Sequence, residues 1–209
     1  MTIAGEGLKF ILPSAGLAAL MWALPCRPAA IVFLLLAAAF TFFFRDPRRT
    51  PPEGEHLVVS PADGRVLAVD ALPSHPDLAG PVNRITIFLS LFDVHIVRCP
   101  LTATVSRADY VPGKFLPAYR PEAGTVNESR TLVLKGDRSA LVMKMIVGVA
   151  ARRIKAYVRE GDAAARGRKV GLMYFGSRVE IFLPGDIDVK AAPGEKVKGG
   201  ESVIAEVRT

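Results

Sequence analysis

Near the C-terminus, Gly176 stands directly before Ser177 in the run Tyr174-Phe175-Gly176-Ser177-Arg178, a pair able to do chemistry on its own backbone. Glycine presents an unhindered carbonyl, and a serine hydroxyl held in a strained turn can attack it, exchanging the amide for an ester. β-Elimination then breaks the ester, leaving Gly176 as a new C-terminus and a dehydroalanine at position 177. Hydrolysis of the dehydroalanine gives a pyruvoyl group, whose ketone can form a Schiff base with a substrate amine and accept electrons, as pyridoxal phosphate does. A Gly-Ser pair between apolar runs is ordinarily a plain turn, so this reading depends on what surrounds it.

Four blocks follow one another along the chain: Phe44-Arg45-Asp46-Pro47-Arg48-Arg49-Thr50-Pro51, Ser60-Pro61-Ala62-Asp63-Gly64-Arg65-Val66, Leu89-Ser90-Leu91-Phe92-Asp93-Val94-His95 and the Ser177 block itself. Together they closely resemble the short-form phosphatidylserine decarboxylases, pyruvoyl-dependent enzymes that make phosphatidylethanolamine. The resemblance runs from the neighbourhood of Phe44 to the end of the chain. It implies a proenzyme that cuts itself between Gly176 and Ser177 into a large chain, 1–176, and a small chain, 177–209, which stay together as a heterodimer. The pyruvoyl cofactor would derive from Ser177, and the substrate would be phosphatidylserine in an anionic membrane.

An imidazole titrates near neutrality and suits proton transfer in both directions. Among His56, His75 and His95, the resemblance selects His95, because Asp93-Val94-His95 matches the family's Asp-x-His block. Asp63, in a Pro-Ala-Asp-Gly stretch, reads locally as a turn residue. The resemblance adds a second role, since the aspartate of this segment in long-form relatives belongs to an Asp-His-Ser arrangement that activates the cleavage serine. The chain departs from the long forms in having Arg98 where they carry a second histidine, and Arg178 after the serine. The self-cleavage base is therefore either His95 or Asp63 acting through another partner. A phosphodiester needs a cationic or amide-rich cradle, for which Arg98, Lys114 and Arg120 are candidates. Asn127, in a family-like Asn127-Glu128-Ser129-Arg130 block, is a candidate to orient the head group. No metal-ligand cluster or glycine-rich phosphate loop is visible.

One alternative is a carrier. Val142-Met143-Lys144-Met145 contains the Met-Lys-Met attachment motif of biotin carriers, and a biotinyl-Lys144 would make the protein a membrane-anchored carrier. Against it, Ala140 to Val149 reads as one continuous strand, whereas the attachment lysine sits at an exposed hairpin tip.

The elements that must hold these residues divide by composition. The 209 residues are 50% hydrophobic, and residues 1–44 hold only Glu6, Lys9 and Arg27 as charges, so nearly all of the +7 net charge lies beyond them. Two apolar runs, Phe10 to Leu24 and Ala29 to Phe44, flank Pro25-Cys26-Arg27-Pro28. They predict a membrane anchor over 1–44, either a helical hairpin in one leaflet or one tilted span. A Pro/Arg-rich linker follows over 45–56, whose Arg45, Arg48 and Arg49 place the rest on the cytoplasmic side of the cell membrane. A basic domain beside an anchor favours an anionic surface. Nucleic acid is not expected, since no basic helix, aromatic RNA-binding strand or zinc spacing accompanies the charge. The two cysteines, Cys26 and Cys99, are too few for a disulfide framework.

From 57 to 209, short β-branched runs alternate with Gly, Asp, Asn and Pro, predicting a mainly β, antiparallel catalytic domain. Two segments, Val158 to Val170 and Ala192 to Ile204, resemble each other and the turn-strand-turn units of barrel-sandwich domains. Exposed pairing edges make a homodimer reasonable.

Overall fold

Period-two alternation between turn residues becomes strands from Leu57 onward. The computed structural model describes residues 2–149, 153–175 and 177–208. In chain order its elements are β1 (Thr2–Ile3), α1 (Leu8–Ala23), α2 (Arg27–Phe43), β2 (Arg45–Asp46), β3 (Leu57–Val59), β4 (Gly64–Leu72), β5 (Val82–Leu89), β6 (Ile96–Arg98) and β7 (Ala103–Val111). They continue with α3 (Ala123–Val126), β8 (Ser129–Lys135), β9 (Ala140–Val147), β10 (Ile154–Ala156), β11 (Ala163–Ala164), β12 (Lys169–Met173), β13 (Ser177–Pro184), β14 (Asp188–Val189), β15 (Lys196–Val197) and β16 (Val203–Glu206). The chain separates into two units, Met1–Arg48 and Arg49–Thr209.

In the first unit, α1 and α2 are joined by Leu24, Pro25 and Cys26 and pack as a hairpin. The Phe10 ring, near the start of α1, lies 5.3 Å from Phe40 and 5.4 Å from Phe44 at the end of α2, so the helices run antiparallel. They have 16 and 17 residues, about 24 and 26 Å at 1.5 Å per residue, against a hydrocarbon core about 30 Å thick. Among the described residues no helix is long and apolar enough to cross a membrane. The Pro25-to-Pro28 stretch divides the apolar N-terminus into these two helices, and α2 ends at Phe43. Arg45 stacks on the Phe42 ring at 4.0 Å, whereas Arg49 belongs to the second unit.

The second unit is mainly antiparallel β. An eight-stranded sheet has the order β11-β7-β8-β9-β13-β5-β4-β15, and two three-stranded sheets have the orders β10-β12-β6 and β14-β16-β3. These orders mirror each other about the β9/β13 pair, so that β8, β7 and β11 match β5, β4 and β15. Hydrogen bonds repeat accordingly. Gly161 N donates to Val105 O and Gly194 N to Val66 O, both at 2.8 Å, while Val105 and Val66 donate back to Asp162 and Glu195, both at 2.9 Å. Gly161 and Gly194 share φ +89°, in the left-handed region that glycine occupies without penalty. The similarity of the two short segments in the sequence thus belongs to a duplication of the whole unit.

One repeat is continuous, from β6 to β12. The other is interrupted: β3, β4 and β5 precede it, and β13 to β16 follow it. In the continuous repeat β8 and β9 are closed by the tip Gly136-Asp137-Arg138-Ser139, with Gly136 N bonded to Ser139 O at 3.0 Å. In the interrupted repeat the corresponding β5/β13 hairpin is opened between Leu89 and Ser177, and the other repeat enters there. The core lies between the sheets, with Ile85, Ile87, Val179, Ile181, Leu141 and Met143 fully buried. Strand β7 runs to Val111, with ladder pairing to β8 continuing through its polar half.

Candidate active site

Ser177 is the first residue of β13, paired with Leu89 of β5 and Val147 of β9. It is fully buried, and its Oγ has no hydrogen-bond partner. Buried hydroxyls are almost always bonded, and Ser177 Oγ is the one buried side-chain oxygen among the described residues that is not. Two residues earlier, Phe175 adopts φ +47°, a left-handed conformation costing a bulky residue roughly 1–3 kcal/mol. Gly176, the expected cleavage partner, lies outside the described residues.

His95 is fully buried and follows a tight turn. The Asp93 carboxylate accepts both the amide and the hydroxyl of Ser90, at 2.8 and 2.6 Å, while Asp93 N donates to Ser90 O at 3.0 Å. This turn links β5, which ends opposite Ser177, to His95. The Nδ1 of His95 lies 3.0 Å from Asp93 O. A carbonyl only accepts, so Nδ1 is the donor in this contact. The carbonyl of His95 in turn accepts the amide of Met173 at 3.0 Å. The histidine segment and the serine segment are thereby tied at both ends.

Asp63 lies in the turn that leads into β4. Its carboxylate lies 2.6 Å from Arg49 and accepts Gly199 N at 2.8 Å, and it makes no hydrogen bond to His95. Burial raises its pKa, helped by the nearby Asp93 charge and opposed by Gly199 and Arg49. Gly64 beside it allows close sheet approach, since a Cβ there would collide with the Phe88 carbonyl.

On the opposite face of β13, Arg178 and Glu180 form a buried pair. Arg178 Nε donates to Glu180 Oε1 at 3.0 Å, and Nη1 donates to Arg120 O at 3.0 Å. The arginine therefore fixes the 112–128 connection against the strand that begins at Ser177. Gly124 leaves room for it, because a Cβ there would strike the guanidinium. The spacing of two between Arg178 and Glu180 signals one strand face; the charged pair's burial has no local signature.

The sequence pattern of the phosphatidylserine decarboxylase family matches residues 36–205. This chain belongs to that family. It is 40% identical over 205 residues to a phosphatidylserine decarboxylase proenzyme of Syntrophus aciditrophicus, covering 97% of this chain and 96% of the relative. Another proenzyme so named, from Carboxydothermus hydrogenoformans, is 41% identical over 85% of this chain and 84% of its own length. A third, from Novosphingobium aromaticivorans, is 40% identical over 97% of this chain and 85% of its own.

Within this decarboxylase fold the candidate head-group contacts are spread out. Arg98 is buried in β6 and donates to Gly167 O at 3.0 Å. Asn127 is buried, its Nδ2 donating to Leu116 O and Val147 O, both at 2.8 Å, and its Oδ1 accepting Leu116 N at 2.9 Å. Those bonds hold the 112–128 connection beside Ser177. Lys114 and Arg120 are exposed on that same connection.

The carrier alternative fails on geometry. Lys144 lies inside β9, paired with Thr131 on one side and Glu180 on the other. Its Nζ donates to Gly124 O at 2.8 Å, and burial lowers its pKa. It is not at a hairpin tip. Among the described residues no cluster of His, Cys, Asp and Glu could hold a metal ion.

Proposed function

We propose that the chain cuts itself between Gly176 and Ser177 and then decarboxylates phosphatidylserine to phosphatidylethanolamine and carbon dioxide. The observation that carries this is Ser177 Oγ, buried and without a hydrogen-bond partner at the start of a central strand. A serine hydroxyl without a hydrogen-bond partner is suited to being consumed. Its hydroxyl attacks the preceding carbonyl, the amide C–N bond breaks, and the oxygen ester forms. Loss of the Cα proton of residue 177 then breaks the Cβ–O bond and releases the new C-terminal carboxylate. Water adds and ammonia departs to leave the pyruvoyl group.

Once formed, the ketone supplies an electron sink for the pair released as carbon dioxide leaves. The chain's own residues do the rest. His95, with Nδ1 donating to Asp93 O, is the proton-exchanging group for the serine and later the product carbon. Asp63 acts at one remove, as a positioning residue that fixes the Ser60-to-Gly64 turn through Arg49 and Gly199. Arg98, Lys114, Arg120 and Asn127 serve the head group directly or through the loop they build. The small chain, 177–209, stays bound because β13 is paired along both edges inside the sheet.

Residues 1–44 form the membrane anchor in this reading, a hairpin whose outward apolar side chains, Leu12, Trp22, Leu34 and Leu35 among them, enter one leaflet. Residues 45–56 connect it to the catalytic region, 57–209, on the cytoplasmic face of the cell membrane.

The test is Ser177→Ala in the full chain, followed by mass spectrometry of the denatured protein and carbon dioxide release from phosphatidylserine. One intact, inactive chain is expected, against two chains with a ketone-reactive small chain for the native sequence. Activity in Ser177→Ala would overturn the proposal.

A further inference from the structure

Exposed large hydrophobic residues are unevenly distributed in the second unit. Among the described residues, all but Leu67 sit at the end of the eight-stranded sheet where Ser177 begins β13. Leu91 and Phe92 occupy the tip of the turn after β5, with Phe92 77% exposed. Val111 ends β7, Tyr119 and Val126 lie on the 112–128 connection, and Val149 follows β9.

The fold itself does not require this. The duplicated architecture places an equivalent set of strand ends at the other end of the sheet, where no large hydrophobic side chain is exposed among the described residues. There the β8–β9 tip is Gly136-Asp137-Arg138-Ser139, and Gly185-Asp186 follows β13, with Asp137, Arg138 and Asp186 exposed. Charge divides in the same sense. The apolar end carries exposed Lys114, Arg120 and Arg153 on its loops, against Glu122 as the exposed carboxylate among their described residues.

The tip is also built to hold its shape. The Asp93 carboxylate bonds Ser90 N and Oγ, so Leu91 and Phe92 project from a turn pinned at its base. The 112–128 connection is clamped by Arg178 and Asn127. Fixed apolar tips interspersed with cations match a bilayer interface, where aromatic rings and aliphatic tips enter beneath anionic head groups.

We propose that the active-site end of the catalytic unit is itself a membrane-docking surface for anionic lipid, with the Leu91-Phe92 turn entering the interfacial layer. The proposal rests on the reading of the substrate as a membrane phospholipid. Docking through this end brings the head-group plane to Ser177 without withdrawing the acyl chains from the bilayer. This contact belongs to the catalytic unit and is additional to any made by the helical hairpin.

The test uses the full chain with Trp22→Phe, which removes its one tryptophan, and a reporter at either end of the sheet. Phe92→Trp reports the proposed surface and Arg138→Trp the opposite tip. Each is mixed with vesicles of equal parts phosphatidylglycerol and phosphatidylcholine whose acyl chains are brominated near the head group. Phe92→Trp fluorescence should fall by about twofold or more, as for a side chain inserted into the interface, with Arg138→Trp unchanged. Leu91→Trp should behave as Phe92→Trp does, which guards against a local fault at one position. No quenching at 91 and 92, or equal quenching at 138, overturns the proposal. The vesicles contain no phosphatidylserine, so failure of the decarboxylase reading leaves this result intact and separately legible.

Discussion

The carbonyl of His95 accepts the amide of Met173 at 3.0 Å, and in the other repeat the carbonyl of His56 accepts that of Val207 at 2.8 Å. The two histidines are structural equivalents, and the strand registers likewise place Ser139 where the interrupted repeat has Ser177. What separates them is connectivity. Near His56 the hairpin tip is closed and polar, whereas near His95 it is opened by the inserted repeat, and the returning chain carries Phe175 at φ +47° into Ser177.

That backbone strain gives the first prediction. Phe175→Gly removes a left-handed penalty of about 1 kcal/mol or more. The fold should be at least as stable, while self-cleavage slows by about fivefold if the strain lowers the barrier. A time course of cleavage of freshly translated proenzyme measures it; unchanged kinetics would remove strain from the mechanism.

The buried Arg178–Glu180 pair should matter most for stability. Arg178→Ala leaves Glu180 uncompensated in the interior, a loss of about 3–5 kcal/mol. Arg178→Met with Glu180→Leu should recover much of it, since no charge is then stranded. Gly124→Ala, which pushes a Cβ into the guanidinium, should also destabilise. Chemical denaturation in the uncut Ser177→Ala background compares them, and a mild effect of Arg178→Ala alone would show that the pair is dispensable.

Asp63 should impose a pH dependence. Burial raises its folded pKa above the ordinary 3.8, so the folded state holds the proton more readily than the unfolded chain. That contribution favours the fold below the unfolded value and is lost as pH rises through the raised one. Asp63→Asn cannot titrate, so the native chain's stability relative to this variant should be greater near about pH 4 than near about pH 7. Denaturation midpoints at the two pH values decide it; an advantage growing with pH would mean that Arg49 and Gly199 outweigh burial.

Much was legible in the sequence because it is written locally. Alternation of apolar residues between Gly, Pro and Asp marks strands such as Val82–Leu89 and Ser177–Pro184, and the prolines at 25 and 28 break the apolar N-terminus wherever it folds. The motif residues Ser177, His95 and Asp63 are adjacent to their turn signals. The sequence by itself also determined that Gly176 precedes Ser177. Only tertiary structure decided the partners, since pairing across the sheet depends on burial and register between distant segments. It set Leu89 opposite Ser177, gave Asp63 to Arg49 and Gly199, and buried Arg178 on Glu180. It also interleaved two repeats so that the histidine and serine segments cross, a relationship that no short window of sequence contains.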